Sequence, residues 1–436
     1  LKFIFSKIKR NIELKQYGKH TTKVIFESIY TCSIYSYYLI IRLIAPFNSK
    51  ANLWLNGRKN LLSKIEHELG TDSAEKIWFH CASLGEFEQA RPVLEKIKKE
   101  KPLHKIVLTF FSPSGYEIRK NYAQADYIYY LPLDTRSNAK QFLDLVKPSL
   151  IYFVKYEFWY FYLSEIKKRN IPAVSFSVIF RANQLFFKPA GQSYKDKLKA
   201  FSKIFVQDQT SFQLLKEHGF ESMEIIGDTR FDRVVEIANA KKKIPLVETF
   251  KGINPCFIMG SSWPEDIKVI LPVLNKYPSL KVLIAPHEIK ENNLREIEKT
   301  SLSSIRFSAA TPENVSDKQV LIIDNIGMLS SLYAYADYAA IGGAFGKGLH
   351  NTLEAAVFGM PLFFGPTYYK FKEAIDLVKK KIAFSIKNSN EFEEALKSFI
   401  HAESLRQQTA EKAIEYVRKN TGATDQIISQ SLTLLA

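Results

Sequence analysis

The chain predicts an α/β protein built from two doubly wound parallel domains, and three observations carry that expectation. From residue 77 short apolar runs alternate with amphipathic helical stretches. The rhythm restarts after a polar stretch at 239–251. A chain of 436 residues is also too long for one ordinary core. In the first domain, strands are expected at 77–82, 105–111, 127–131, 150–154, 173–178 and 203–206, with helices at 86–99, 137–146 and 159–168 between them. The second domain should place strands at 256–259, 281–285, 320–323, 338–341 and 361–364. The expected boundaries are a basic segment and apolar helix over 1–50, the first domain over 51–238 and the second over 239–402. A last helical stretch, 403–436, should pack back toward the first domain. Ligands of such folds bind at the carboxyl ends of the strands, in a central cleft that the two domains face.

Composition narrows the class. Hydrophobic residues are 46% of the chain, enough to exclude wholesale disorder. The net charge of +16 fits nucleic acid, an anionic membrane surface or a phosphorylated substrate. Cys32, Cys81 and Cys256 are far apart and form no CxxC, so a disulfide framework or cysteine zinc site is not expected. Lys2, Lys7, Lys9, Arg10, Lys15, Lys19 and Lys23 precede an apolar, aromatic run over 24–47. That run is long enough to cross a bilayer, yet Glu27, its tyrosines and its basic flank equally suit a helix lying in the interface. No small-residue cleavage site is evident, which disfavours a secreted product.

Each chemically suggestive motif follows an expected strand. After the first comes His80-Cys81-Ala82-Ser83-Leu84-Gly85-Glu86, in which Gly85 permits a tight turn and Glu86 opens a helix. A carboxylate there is favoured as an anion by the helix dipole and can accept a proton. The plainer reading is a helix-favouring first-turn glutamate. Lys155-Tyr156-Glu157-Phe158-Trp159 puts a second carboxylate at the same edge, for proton transfer or sugar hydroxyls, again unless it is merely a first-turn residue.

In the second domain Gly260-Ser261-Ser262-Trp263-Pro264-Glu265-Asp266 reads as a helix start whose Ser261 and Ser262 hydroxyls could also hold a phosphate or carboxylate. Pro286 and His287 end the next strand and could line a base pocket. The glycine-rich segment Gly342-Gly343-Ala344-Phe345-Gly346-Lys347-Gly348-Leu349-His350-Asn351 follows another apolar run, and a helix is expected from Asn351. Backbone N–H groups of such a loop, with the helix N-terminus, suit a phosphate. The spacing is neither Walker A nor GxGxxG, so a nucleotide-sugar diester fits better than a triphosphate or dinucleotide. Glu354 either completes a capping box with Asn351 or accepts from ribose hydroxyls, and Gly365-Pro366-Thr367 would close the same pocket. No HExxH, EF-hand loop or DxD-type pair accompanies these loops, so no metal cofactor is expected.

HCASLGEFEQARP, VKYEFWYF, GDTRFD, GSSWPED and GGAFGKGLHNTLEAAVFGMPLFFGP together resemble the 3-deoxy-D-manno-octulosonic acid (Kdo) transferases of lipopolysaccharide synthesis, in order and from about residue 35 to the end. The resemblance implies a GT-B glycosyltransferase fold, CMP-Kdo as donor and a lipid A precursor (lipid IVA) as acceptor. It also implies the cytoplasmic face of the bacterial inner membrane, with its anionic surface rather than nucleic acid as partner. Glu86 then falls on the general base and Glu157 on the second-motif glutamate. Ser83, Gly85 and Arg91 are the acceptor-side candidates. Arg230, Ser261, Ser262, Pro286, His287, Gly346, Gly348, His350, Asn351 and Glu354 are the donor-side ones. Three positions depart from the family pattern. Asp228 and Arg230 stand where Asn and Lys are expected, and Lys347 replaces a small or apolar residue. Two alternatives stay open: a nucleotide-sugar epimerase of similar fold, and a non-enzymatic protein that binds anionic membranes.

Overall fold

The computed structural model describes residues 24–188 and 191–435. The seven basic residues from Lys2 to Lys23 lie outside that range. The chain forms two compact units, Leu1–Thr229 together with Gly422–Ala436, and Arg230–Thr421. The change of unit thus comes at Thr229, ahead of the polar stretch expected to mark it, and the helix Glu403–Lys419 belongs to the second unit. Only the helix Ala423–Ser431 and the residues after it return to the first.

The first unit holds a seven-stranded sheet of β1 Lys76–Cys81, β2 Lys105–Phe110, β3 Tyr127–Tyr130, β4 Pro148–Val154, β5 Ala173–Val178, β6 Lys203–Val206 and β7 Met223–Ile225. All pair in parallel, in the order β3-β2-β1-β4-β5-β6-β7. Side chains alternate between two apolar layers, as strand geometry requires. Ile77 and Phe79 of β1 join Leu150 and Tyr152 of β4 on one face, while Trp78 joins Ile151 and Phe153 on the other. Ile427 and Ile428 of the returning helix complete the first layer, and the Tyr152 hydroxyl meets Ser431 Oγ at 2.5 Å.

The second unit repeats the plan with β8 Cys256–Ser262, β9 Lys281–Pro286, β10 Ser304–Arg306, β11 Val320–Ile322, β12 Tyr338–Ile341, β13 Leu362–Phe364 and β14 Ala383–Ser385. Its parallel order is β10-β11-β9-β8-β12-β13-β14. Three strands are not foreshadowed by apolar runs: β7, β10 and β14. Each has three residues and lies at a sheet edge, where only one neighbour must be satisfied and burial is partial.

The helix Val24–Ile44 has 21 residues and is long and apolar enough to cross a membrane. One stripe docks on the first unit: Phe26 and Tyr30 lie against Tyr160 at 5.3 and 5.4 Å, and Tyr37 meets Trp54 at 5.6 Å. The Tyr30 hydroxyl donates to Asp134 at 2.6 Å, and Glu27 pairs with Arg136. Ile25, Ile29, Leu39, Ile40 and Leu43, on the other side, are exposed.

Candidate active site

In both units the strand order reverses beside the first strand, and loops at such a switch point part to leave a crevice. In the first sheet β1 lies between β2 and β4, so the loops after β1 and β4 flank the reversal. They carry Glu86 and Glu157. In the second sheet β8 lies between β9 and β12, and the flanking loops carry Ser261–Trp263 and the glycine-rich segment.

Glu86 lies in the first turn of the helix Leu84–Glu100 and accepts from the backbone N–H of Ala82. The dipole alone would keep it ionised, but the surroundings reverse that balance. Burial, then the negative charge of Glu157, push its carboxyl up to about 8, against the lowering by the Ala82 N–H and Lys155. Glu157 is buried, and its Oε2 accepts from Trp159 Nε1 at 2.8 Å and meets His80 Nε2 at 3.0 Å. His80 is buried too, with Nδ1 2.8 Å from Thr109 Oγ1, which accepts from Trp78 Nε1 at 2.8 Å. The consistent assignment is a relay of donors from Trp78 through Thr109 and His80, ending on Glu157. His80, Thr109 and Trp159 have no role assigned from the sequence. A polar residue ending an apolar strand, as His80 does, is the signal that could have found the first of them.

The acceptor-side candidates separate. Ser83 is the N-cap of this helix but makes no side-chain cap bond. Gly85 is not needed for a tight turn: it is inside the helix, and a Cβ there would meet nothing within 4 Å. Arg91 lies about 140° around the helix from Glu86, at ~100° per residue, and is paired with Glu95 at 2.7 Å over the Tyr122 ring. The structure does not bring it to the carboxylates.

In the second unit Trp263, not a serine, caps the helix Pro264–Leu274, and Asp266 accepts from its N–H at 2.7 Å. The same Asp266 oxygen accepts from Gly343 N at 3.0 Å, tying this turn to the glycine loop. Burial raises the Asp266 carboxyl to about 6. Gly342 is required by close approach, since a Cβ would come within 2.1 Å of the Ser261 carbonyl oxygen. Ser261 has a left-handed φ of 50°, and the Ser262 hydroxyl is buried without a protein partner.

Trp263, His287 and His350 form a stack of rings, with centroids 4.6 Å apart for Trp263–His287 and 4.4 Å for His287–His350. Trp263 Nε1 donates to His350 Nε2 at 3.1 Å, which leaves the His350 proton on Nδ1. Burial lowers both imidazoles, His350 to about 4, so the stack is uncharged at neutral pH. Pro286 ends β9 just before it.

The glycine loop departs from expectation in two ways. The N–H groups of Gly346 and Gly348 donate to the Gly343 carbonyl at 3.1 and 2.8 Å, closing the loop on itself rather than facing a ligand. The helix expected from Asn351 is a single turn, Leu353–Ala356, too short for much of a dipole. Asn351 accepts from Leu353 N at 3.2 Å and donates to Glu354 Oε1 at 3.0 Å. Thr367 N donates to the Ala344 carbonyl at 3.0 Å, so the segment after β13 does close on this loop. Arg230 opens the helix Arg230–Asn239 and is held by the buried Glu373 at 2.8 Å, a partner the sequence does not reveal.

Two parallel doubly wound units with sites at their switch points define a GT-B-type α/β molecule. Solved structures agree at the level of fold. UDP-GlcNAc 2-epimerase from Neisseria meningitidis, bound to UDP-GlcNAc, has a TM-score of 0.57 at 14% identity over 82% of this chain and 99% of its own. The UDP-GlcNAc 2-epimerase of Methanocaldococcus jannaschii has a TM-score of 0.51 at 14% identity over 79% and 98%. Sequence gives the finer result. Residues 57–233 match the family model described as 3-deoxy-D-manno-octulosonic-acid transferase (kdotransferase). The 3-deoxy-D-manno-octulosonic acid transferase of Aquifex aeolicus is 29% identical over 72% of this chain and 83% of its own length. That of Haemophilus influenzae is 27% identical over 81% and 85%. The chain is thus similar to Kdo transferases over most of its length, and part of its first unit matches their family model.

Proposed function

We propose that this chain moves Kdo from CMP-Kdo to a hydroxyl of a lipid A precursor (lipid IVA) with inversion at the anomeric carbon, and that Glu86 is the general base. The observation that carries this reading is the coupling of Glu86 to Glu157 at the first switch point. One carboxyl is pushed to a pKa near working pH, where a general base is most effective, and its neighbour is held by His80 and Trp159. Glu86 removes the proton of the attacking hydroxyl as its oxygen bonds to the anomeric carbon. The bond from that carbon to the phosphate oxygen breaks, and CMP leaves with the electron pair. Ser83 and Gly85 border the acceptor hydroxyl.

On the donor side, the uncharged Trp263–His287–His350 stack offers a flat face for a pyrimidine. Glu354 holds the ribose. The buried Ser262 hydroxyl and the backbone at Asn351 receive the phosphate, with Arg230, positioned by Glu373, adding charge. Gly346 and Gly348 shape the loop. No metal is required in this scheme, because the Ser262 hydroxyl, the backbone at Asn351 and Arg230 stabilise the leaving phosphate.

We further propose that the protein works at the cytoplasmic face of the bacterial inner membrane, with the helix Val24–Ile44 lying on the surface. Its docked stripe from Phe26 to Tyr37 takes up about 16 Å of helix axis, which leaves too little to cross a hydrocarbon core of about 30 Å. The test is mass spectrometry of a tetra-acylated lipid A precursor incubated with enzyme and CMP-Kdo generated in situ, with chelator present. A mass gain of one or more Kdo supports the reading. No gain from folded protein that still binds CMP would overturn it in favour of another donor or an epimerase.

A further inference from the structure

A cavity of about 530 Å³ in the first unit has neither of the two carboxylates in its lining and has no part in the scheme above. Its walls include Tyr35 and Tyr38 of the helix Val24–Ile44, together with Arg58, Ser63, Ser137 and Asn138, and no carboxylate. Arg58 is enclosed by aromatic rings, 4.0 Å from the Trp54 centroid, 4.8 Å from Tyr130 and 5.0 Å from Phe111. It donates to the carbonyls of Leu131, Trp54 and Phe111 at 3.0, 3.1 and 2.8 Å. Each terminal nitrogen therefore keeps one further N–H. Among the described residues no acidic side chain pairs with it, so a cation is held in an apolar cage without an anion of its own.

A charge largely removed from water and lacking a counter-ion is costly, and this desolvation lowers the Arg58 guanidinium to about 9. An anionic ligand would supply what the protein omits. Two helix starts line the same cavity. Leu61–Leu69 has nine residues and an N-cap, Asn60, whose side chain makes no cap bond; Arg136–Val146 has eleven. Their first turns add backbone donors, and Ser63 and Ser137 add hydroxyls. The cavity also adjoins the helix that exposes Leu39, Ile40 and Leu43. A ligand whose head fills the cavity can lay its apolar chains along that helix.

We propose that this cavity binds the phosphate head of an amphiphile, with Arg58 as its counter-ion and the helix Val24–Ile44 as the support for its chains. The inference concerns binding alone and stands whether or not the transfer reaction proceeds as described. The phosphate could belong to a membrane phospholipid or to a phosphorylated glycolipid, and the test separates them.

Binding to the full chain is measured by calorimetry with dihexanoyl phosphatidic acid, dihexanoylglycerol, inorganic phosphate, and an acylated glucosamine disaccharide with and without its phosphates. The variant is Ser63→Asp with Ser137→Asp. Aspartate in a helix first turn favours the fold, so the variant keeps its structure while repelling an anion. A control with Ser429→Asp, on the returning helix, adds charge elsewhere. The expected result is that at least one phosphate-bearing amphiphile binds, that its phosphate-free counterpart does not, and that the double variant loses affinity on the order of tenfold or more. Which amphiphile binds identifies the source. Equal affinity in the double variant and the Ser429→Asp control would overturn the proposal. So would inorganic phosphate binding as tightly as the amphiphiles, since the chains would then contribute nothing.

Discussion

Glu86 and Glu157 show how environment outweighs local position. A glutamate in a helix first turn gains only about 0.3–1 kcal/mol as an anion from the dipole. Here burial and a second carboxylate exceed that, and the carboxyl rises from 4.5 to about 8. A general base acts in its ionised form, so kcat/KM should climb with pH toward a plateau, with its midpoint near the value for the empty enzyme. Glu157→Gln removes the second-largest cause of the rise and should move that midpoint to lower pH; an unmoved midpoint in a pH–rate profile would detach the two residues. Glu86→Gln should cut kcat/KM by roughly 10²–10⁴-fold. Linkage gives that variant a second signature. A carboxyl raised by folding contributes stability below its unfolded pKa, and that contribution is lost as pH rises through the folded value. The loss runs from about 4.5 to about 8, so at pH 8.5 Glu86→Gln should melt no lower than the parent in a calorimetric scan.

At the scale of elements, two segments do separable work. The glycine loop and the turn after β8 fit together only because Gly342 has no side chain. Gly342→Ala should destabilise the second unit by about 1–3 kcal/mol, the usual cost of overpacking, and weaken CMP binding. Titration calorimetry checks the affinity, and an unaltered Kd would remove this junction from the donor site. The helix Val24–Ile44 divides its faces between protein and surroundings. Replacing Ile29, Leu39 and Leu43 with serine spares the docked Phe26, Tyr30 and Tyr37 and should release the protein from anionic vesicles in a flotation assay. Undiminished flotation would place the membrane contact elsewhere.

For the whole molecule, the chain leaves its first unit at Thr229 and returns at Gly422. The last helix is therefore part of the first core although it is made last. Ile427 and Ile428 fill the layer against Phe79 and Tyr152. Ile427→Ala should cost the first unit about 2–5 kcal/mol, as deletion of a fully buried aliphatic side chain does. Limited proteolysis should then cut that unit sooner while the second keeps its resistance. Equal protection of both would mean that the returning helix adds little.

The alternation of strands and helices, the two-unit plan and the likeness to Kdo transferases are legible in the order of residues alone. So are the places of Glu86, Glu157, Trp263 and the glycine loop at strand ends. Those features are written in local patterns: periodicity, breakers and short motifs that need no knowledge of distant partners. The three edge strands escape because three half-buried residues leave no apolar run. The strand order that sets β1 beside β4 and β8 beside β12, and with it which motifs share a crevice, emerges only on folding. So does the fact that Gly346 and Gly348 spend their N–H groups inside the loop, that Arg91 turns to Glu95, and that Arg230 meets Glu373. One physical cause is common to all of these. Protonation and hydrogen-bond state depend on burial and on charges brought near by folding, and His80, a hydrogen-bond partner of Glu157, is 77 residues away along the chain.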